Sequence, residues 1–178
     1  LSNLKNEIGQ QRPFSSPAEE ALLNLLRTAD CLQRAMQLVA RPWSITSTQY
    51  NVLRILRGVY PEGLPCSAIG DRMITADPDI TRLLARLRNQ KLIRQERGKK
   101  DKRVLTTYIS DTGLALLNEM DETVSQFPKQ MLGHLSGEEV LELTRLLELA
   151  RKNCADRQQA SVCEQSADTP KCGADEPR

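Results

Sequence analysis

The sequence predicts a mainly α-helical protein that carries one small β-hairpin. Three observations predict it. Helix-start chemistry recurs at Ser16, Thr46, Asp77 and Ser136; apolar residues repeat at alternating steps of three and four toward both ends; and Val104 to Ile109 is instead rich in β-branched and aromatic residues. With 178 residues, 27% of them charged, there is room for one domain, or one domain and a tail, and not for two catalytic lobes.

Residues 1–15 precede any start signal and read as a flexible lead. Ser16-Pro17-Ala18-Glu19 then sets a hydroxyl before a first-turn proline, with a carboxylate three residues on. The hydroxyl satisfies an orphan amide, and the proline forfeits no bond because first-turn N–H groups have no partner within the helix. Leu22, Leu25, Ala29, Leu32, Met36 and Val39 follow on one face, which predicts an amphipathic helix to about Arg41.

Thr46-Ser47-Thr48-Gln49 repeats the hydroxyl-x-x-amide box and opens a short helix that Gly58 ends after Arg57. Tyr60-Pro61-Glu62-Gly63-Leu64-Pro65 is a turn-rich link. Cys66 to Met73 reads as a second short helix with Ile69 and Met73 inward. Asp77 to Gln90 reads as a third, capped by Asp77 with Pro78 behind it, turning Ile80, Leu83, Leu84 and Leu87 inward. Leu92 to Glu96 alternates weakly, Arg97 to Lys102 is a polar loop with a glycine, and Val104 to Ile109 is the returning strand, so the pair reads as a two-stranded hairpin with a basic tip.

Ser110 or Asp111 caps the next helix, whose stripe is Leu114, Leu117, Met120, Val124, Phe127 and Met131; Pro128 should kink it by removing one donor. Ser136-Gly137-Glu138-Glu139 opens a last helix with Val140, Leu143, Leu147 and Ala150 on one face. The hydrophobic pattern stops at Asn153, and 154–178 lacks the apolar area that would offset chain ordering, so this tail is expected to be disordered.

Charge is unevenly spread. The formal net charge is only +2, yet residues 82–103 hold ten basic side chains against two acidic ones, which leaves the rest of the chain net acidic. Such a block, shared by a helix and a hairpin, calls for an anionic partner rather than a solvated face.

Helix, turn, helix and a hairpin with a basic loop, in that order, make a winged helix-turn-helix, whose second helix enters the major groove of DNA while the hairpin loop reaches the flanking backbone or minor groove. Asp101-Lys102-Arg103-Val104-Leu105-Thr106-Thr107-Tyr108-Ile109-Ser110-Asp111-Thr112-Gly113 joins an Asp-x-Arg to a strand and to a glycine that opens a helix. With Ser47-Thr48-Gln49-Tyr50-Asn51-Val52-Leu53 and Asp79-Ile80-Thr81-Arg82-Leu83-Leu84-Ala85-Arg86-Leu87, it resembles the bacterial MarR-type transcriptional regulators over about residues 17–153.

The resemblance implies a DNA-binding lobe over 46–110, flanked by an N-terminal dimerisation helix over 16–45 and C-terminal dimerisation helices over 111–153. It makes Arg103 the wing arginine of the minor groove, oriented by Asp101, and turns Arg82 and Arg86 toward DNA beside Pro78, Asp79 and Thr81. Arg94, Lys99, Lys100 and Lys102 complete the cationic surface: a guanidinium can bridge two phosphate oxygens or a guanine edge, whereas an ammonium acts as a point charge. Three positions depart from the family pattern. Ala76 and Asp79 stand where hydroxyls are usual, removing phosphate hydrogen bonds, although Asp79 could accept from a cytosine amino group. Lys91 replaces a glycine after the recognition helix, which weakens a left-handed cap without forbidding it.

Other chemistry finds little support. Asp111-Thr112-Gly113 matches the aspartic-protease triplet, but that site needs two carboxylates sharing a proton, and here the triplet closes a strand and opens a helix. His134 is the sole histidine, and no zinc-protease, P-loop or dinucleotide motif accompanies it, so no enzyme, metal or cofactor is expected. Five cysteines cannot all pair within a chain, and Cys154, Cys163 and Cys172 lack paired metal-ligand spacing; a reducing compartment is the simpler reading. Cys31 is a redox candidate if Arg27 or Arg34 stabilises its thiolate. Met36, Trp43 and Tyr50 are candidates for a small aromatic effector, as the resemblance implies.

No run reaches the roughly 18 apolar residues of a membrane span, and no basic and apolar leader opens the sequence, so a cytoplasmic, bacterial protein is expected. The expected function is a homodimeric, sequence-specific regulator that represses from a near-palindromic operator and is released by an effector. A thiol-based redox regulator and a protein-binding winged-helix adaptor that ignores DNA are the alternatives.

Overall fold

The computed structural model describes residues 3–97 and 105–167, with side chains through Lys152. It divides into two units, residues 1–129 and 130–178. The first holds α1 (Leu4–Glu7), α2 (Pro17–Ala40), α3 (Ser47–Arg57), α4 (Cys66–Gly70) and α5 (Ile80–Asn89), the strands β1 (Leu64–Pro65), β2 (Ile93–Arg97) and β3 (Leu105–Ile109), and most of α6 (Asp111–Leu132). The second contains the end of α6 and α7 (Gly137–Ala167).

Three of the four start signals are used as the sequence predicts. Ser16 Oγ accepts from the Glu19 N–H at 3.1 Å, while the Ser15 hydroxyl and amide donate to the Glu19 carboxylate and hold its pKa below the usual value. Thr46 and Gln49 form a full capping box at 3.0 and 2.8 Å, and Ser136 and Glu139 form another at 3.3 and 2.8 Å. The fourth start is displaced. Asp77 Oδ1 accepts from the Asp79 N–H at 2.8 Å, a local turn that competes with helix, so α5 begins only at Ile80 with Asp79 Oδ1 accepting from the Arg82 N–H at 3.0 Å.

Four other stretches differ from the reading of the sequence. The segment read as a lead contains α1, with Leu4 buried. Helix α4 stops at Gly70 rather than Met73, its exit tightened by three-residue bonds from Arg72 N–H to the Ile69 carbonyl and from Met73 N–H to the Gly70 carbonyl. The sheet has three strands in the order β1-β3-β2, not two: Leu64 pairs with Thr107 on one side of β3, while Ile93 pairs with Ile109 and Arg97 with Leu105 on the other. A two-residue strand inside a turn-rich link has no alternation to read, and Pro65 is tolerated there because an edge strand does not need its N–H. Helix α7 runs past Asn153 to Ala167, since no proline or glycine interrupts that stretch. Helix α6 continues through Pro128 to Leu132.

The core of the first unit joins every layer. Val52, Leu53 and Leu56 of α3, Ile69 of α4, Leu84 and Leu87 of α5, Ile93 and Ile109 of the sheet, and Leu117 and Met120 of α6 are all buried. Leu83 is buried beside them and Ile80 half-buried, so α5 turns inward the four residues expected of it. Gly113 is fixed by contact rather than by conformation: a Cβ there would run into the Leu92 carbonyl oxygen, so only glycine lets α6 start against the turn that enters β2. Helix α2 is different, because of its residues only Ala40 is buried, while Leu22 is 56% and Leu26 58% exposed.

Candidate nucleic-acid interface and an adjacent cavity

Helix α5 carries its cations outward on a buried stripe. Arg82 and Arg86 lie one turn apart and exposed, with Thr81 beside them and Leu83, Leu84 and Leu87 locked underneath. Neither arginine makes an ion pair among the described residues. Arg88, within the same basic block, donates to Gln95 Oε1 at 3.4 Å, tying the helix to β2.

Both ends of α5 are held. At its start the Asp79 carboxylate is committed to the cap, and Pro78 sits in the preceding turn. At its exit the Leu92 N–H reaches the Leu87 carbonyl and the Lys91 N–H reaches the Arg88 carbonyl, a Schellman closure with Lys91 at φ +61° where glycine is favoured. Ser110 Oγ donates to the Lys91 carbonyl at 2.7 Å and accepts from the Gly113 N–H at 3.0 Å, so it is Ser110 that caps α6 and joins it to that turn. Gln49, buried in α3, donates to Gln90 Oε1 at 2.9 Å, and Gln90 donates to the Ser44 carbonyl at 3.3 Å. The pitch of α5 is thereby referenced to α3, and a one-residue slip would break all of these bonds.

The wing is described only at its base. Arg94 is ion-paired with Glu96 two residues along β2, and its guanidinium lies 4.2 Å from the centroid of Tyr108, its cross-strand partner. Arg94 thus has two partners within the sheet, which sets it apart from Arg82 and Arg86. Lys99, Lys100, Asp101, Lys102 and Arg103 lie outside the described residues.

A cavity of about 290 Å³ opens beside α3, lined by Leu32 and Met36 of α2, Tyr50, Asn51 and Arg54 of α3, Ile74 and Thr75 of the turn before α5, and Phe127 of α6. Of the effector candidates, Met36 and Tyr50 line it, and Trp43 instead packs against the core. Burial pushes the Tyr50 phenol above its usual pKa, against the pull of Arg57 and Arg54, so Tyr50 stays neutral. Neither Asn51 nor Arg54 is among the effector candidates that the sequence offers. For Asn51 the available signal was a polar residue among the apolar Tyr50, Val52 and Leu53.

Cys31 is an exposed free thiol on α2, and Arg34, one turn on, is ion-paired with Asp30 at 2.5 Å. Among the described residues no three His, Cys, Asp or Glu side chains are placed to hold a metal ion, and no helix is long and apolar enough to cross a membrane.

No protein-family model matches the chain. The regulator MhqR of Bacillus subtilis, of the helix-turn-helix type, is 30% identical over 104 residues, 58% of this chain and 70% of its own length. A MarR transcription factor of Planctomyces limnophilus is 40% identical, superimposes with a TM-score of 0.60, and is matched over 77% of this chain and 99% of its own. The chain belongs to the MarR family of transcriptional regulators. The MarR fold is shared at greater distance by BpsR of Bordetella bronchiseptica, whose DNA binding is regulated by 6-hydroxynicotinic acid: 20% identity, TM-score 0.66, 74% of this chain and 98% of that one. As a MarR-family protein the chain is a DNA-binding transcriptional regulator and not an enzyme, and the mostly helical body with its small antiparallel sheet is the winged helix of that family.

Proposed function

We propose that two copies of this chain pair on a near-palindromic operator, read it with α5 and the wing, and leave it when a small aromatic molecule fills the cavity beside α3. The observation that carries this reading is the pair Arg82 and Arg86, exposed and without an ion pair among the described residues, on a helix held at both ends and buried on its other face. Pro78, Asp79 and Thr81 flank them, and the family resemblance adds Lys99, Lys100, Asp101, Lys102 and Arg103 at the wing tip, with Arg103 in the minor groove.

Pairing is supported by apolar surface that one copy leaves uncovered. Leu22, Leu26 and Leu38 of α2, and Leu141, Leu146 and Leu149 of α7, are each 45% exposed or more, an arrangement that a second copy would cover. Residues 16–45 and 111–153 are accordingly the dimerisation segments and 46–110 the DNA-binding lobe, working in the cytoplasm. Two-fold symmetry then sets two α5 helices about 34 Å apart, one turn of the duplex. Control by an aromatic molecule is supported by the apolar cavity and by what BpsR does with 6-hydroxynicotinic acid.

Selecting bound sites from a random DNA pool tests the reading. A two-fold symmetric consensus with half-sites about 10 base pairs apart is expected, and enrichment of an asymmetric site, or of none, would overturn it.

A further inference from the structure

One ion pair ties α3 to the helix that leaves the lobe. Arg57, at the end of α3, meets Asp121 of α6 with both arms of its fork, Nη1 donating to Oδ2 at 3.0 Å and Nη2 to Oδ1 at 2.9 Å. The other ion pairs among the described residues lie within one helix or one strand, whereas this one joins residues 64 apart in sequence. Two parallel bonds between planar groups fix an orientation as well as a distance, which an ammonium does not do.

The place of the contact gives it leverage. Helix α6 starts against the Leu92 carbonyl at Gly113 and buries Leu117 and Met120 in the core. Asp121 comes next, and from there to Lys129, where the unit ends, no residue of α6 is buried. The pair therefore stands where packing stops holding the helix, about 12 Å along its axis from Gly113. Apolar burial is non-directional, so it keeps α6 on the core without setting its tilt. The other foot of the pair is on α3, whose Gln49 donates to Gln90 Oε1 at the exit of α5, so the direction of α6 and the pitch of α5 are referenced to one helix.

We propose that Arg57 is a positioning residue for operator recognition: through Asp121 it fixes the tilt at which α6 leaves the DNA-binding lobe, and with it the half-site separation that two paired copies accept. This rests on the reading of residues 111–153 as a dimerisation segment. Both side chains are partly open to solvent, so the pair adds little to stability and acts on geometry. Each base pair added between half-sites moves them by about 3.4 Å and turns them by about 35° about the duplex. A loose tilt tolerates such a change, and a fixed one rejects it.

Binding of the full chain to duplexes whose half-site spacing departs from the selected operator one base pair at a time tests this, with a single half-site as reference. The wild-type chain should prefer its own spacing by about tenfold over spacings one base pair away. Arg57→Lys keeps the charge and loses the fork, and Asp121→Asn keeps the shape and loses the charge. In each, the preference should fall to about twofold, with half-site affinity and chemical-denaturation midpoint as in the wild type. That fivefold change is about 1 kcal/mol shared between two copies, within the reach of an exposed pair. Arg57→Glu should lose the preference too, and adding Asp121→Arg should restore it. Equal wild-type affinity across spacings, a preference that survives in the single variants, half-site affinity lost in step with it, or a double variant no more selective than Arg57→Glu would each overturn the proposal while leaving paired binding in place. If the wild-type chain binds a single half-site as tightly as the full operator, the paired reading fails and the proposal with it.

Discussion

Lys91 holds φ +61° at the exit of α5, a region in which a side chain is strained, and it does so because the Schellman bonds from Leu92 and Lys91 close that end of the helix. Lys91→Gly should therefore stabilise the chain by about 1 kcal/mol in chemical denaturation, the relief of strain exceeding the entropy that glycine adds to the unfolded state. A loss of stability would show that the lysine side chain contributes more than its backbone costs. The position was legible beforehand because a family glycine is missing there. Gly113 was legible only as part of a motif. Its reason, the approach of the Leu92 carbonyl, lies 21 residues away in sequence and cannot be read from the residues around it.

At the scale of elements, the capping boxes at Thr46 and Ser136 and the inward leucines of α5 follow from local chemistry, and local chemistry is what a sequence displays. The strand β1 and the late start of α5 do not, since one depends on β3 from far along the chain and the other on a choice between two aspartates, Asp77 and Asp79, that stand only two residues apart. The arginines divide on the same ground. Arg82→Ala should lower operator affinity by about 1–3 kcal/mol and relax base preference in competition assays, with the fold unchanged. Arg94→Ala should leave base preference as it is, because its guanidinium is already occupied by Glu96 and Tyr108. A uniform loss across all sequences for Arg82→Ala would reassign it to phosphate contact.

For the whole molecule, the decisive feature is apolar surface without a cover. Leu22 and Leu146 are 56% and 48% exposed. Leu22→Glu combined with Leu146→Glu should convert a dimer into a monomer in analytical ultracentrifugation and weaken DNA binding with it, because one recognition helix forfeits the gain of tethering two. A wild-type monomer that binds DNA as tightly would exclude the paired arrangement. The stripe of α2, with Leu22 on it, was readable as periodicity, but a stripe says only that something must cover it; Leu146 lies outside the stripe read at Val140, Leu143, Leu147 and Ala150, and its exposure is known from the structure alone.

Periodicity, caps and the wing motif were sufficient to specify a winged helix, and the α5 pattern to turn Arg82 and Arg86 outward, because each is a short-range pattern whose physics is complete within a few turns. The third strand, the contact that makes Gly113 necessary, the Tyr108 ring under Arg94 and the cavity beside α3 emerged only on folding. Each brings together residues far apart in the chain, and no local pattern records the distance between them.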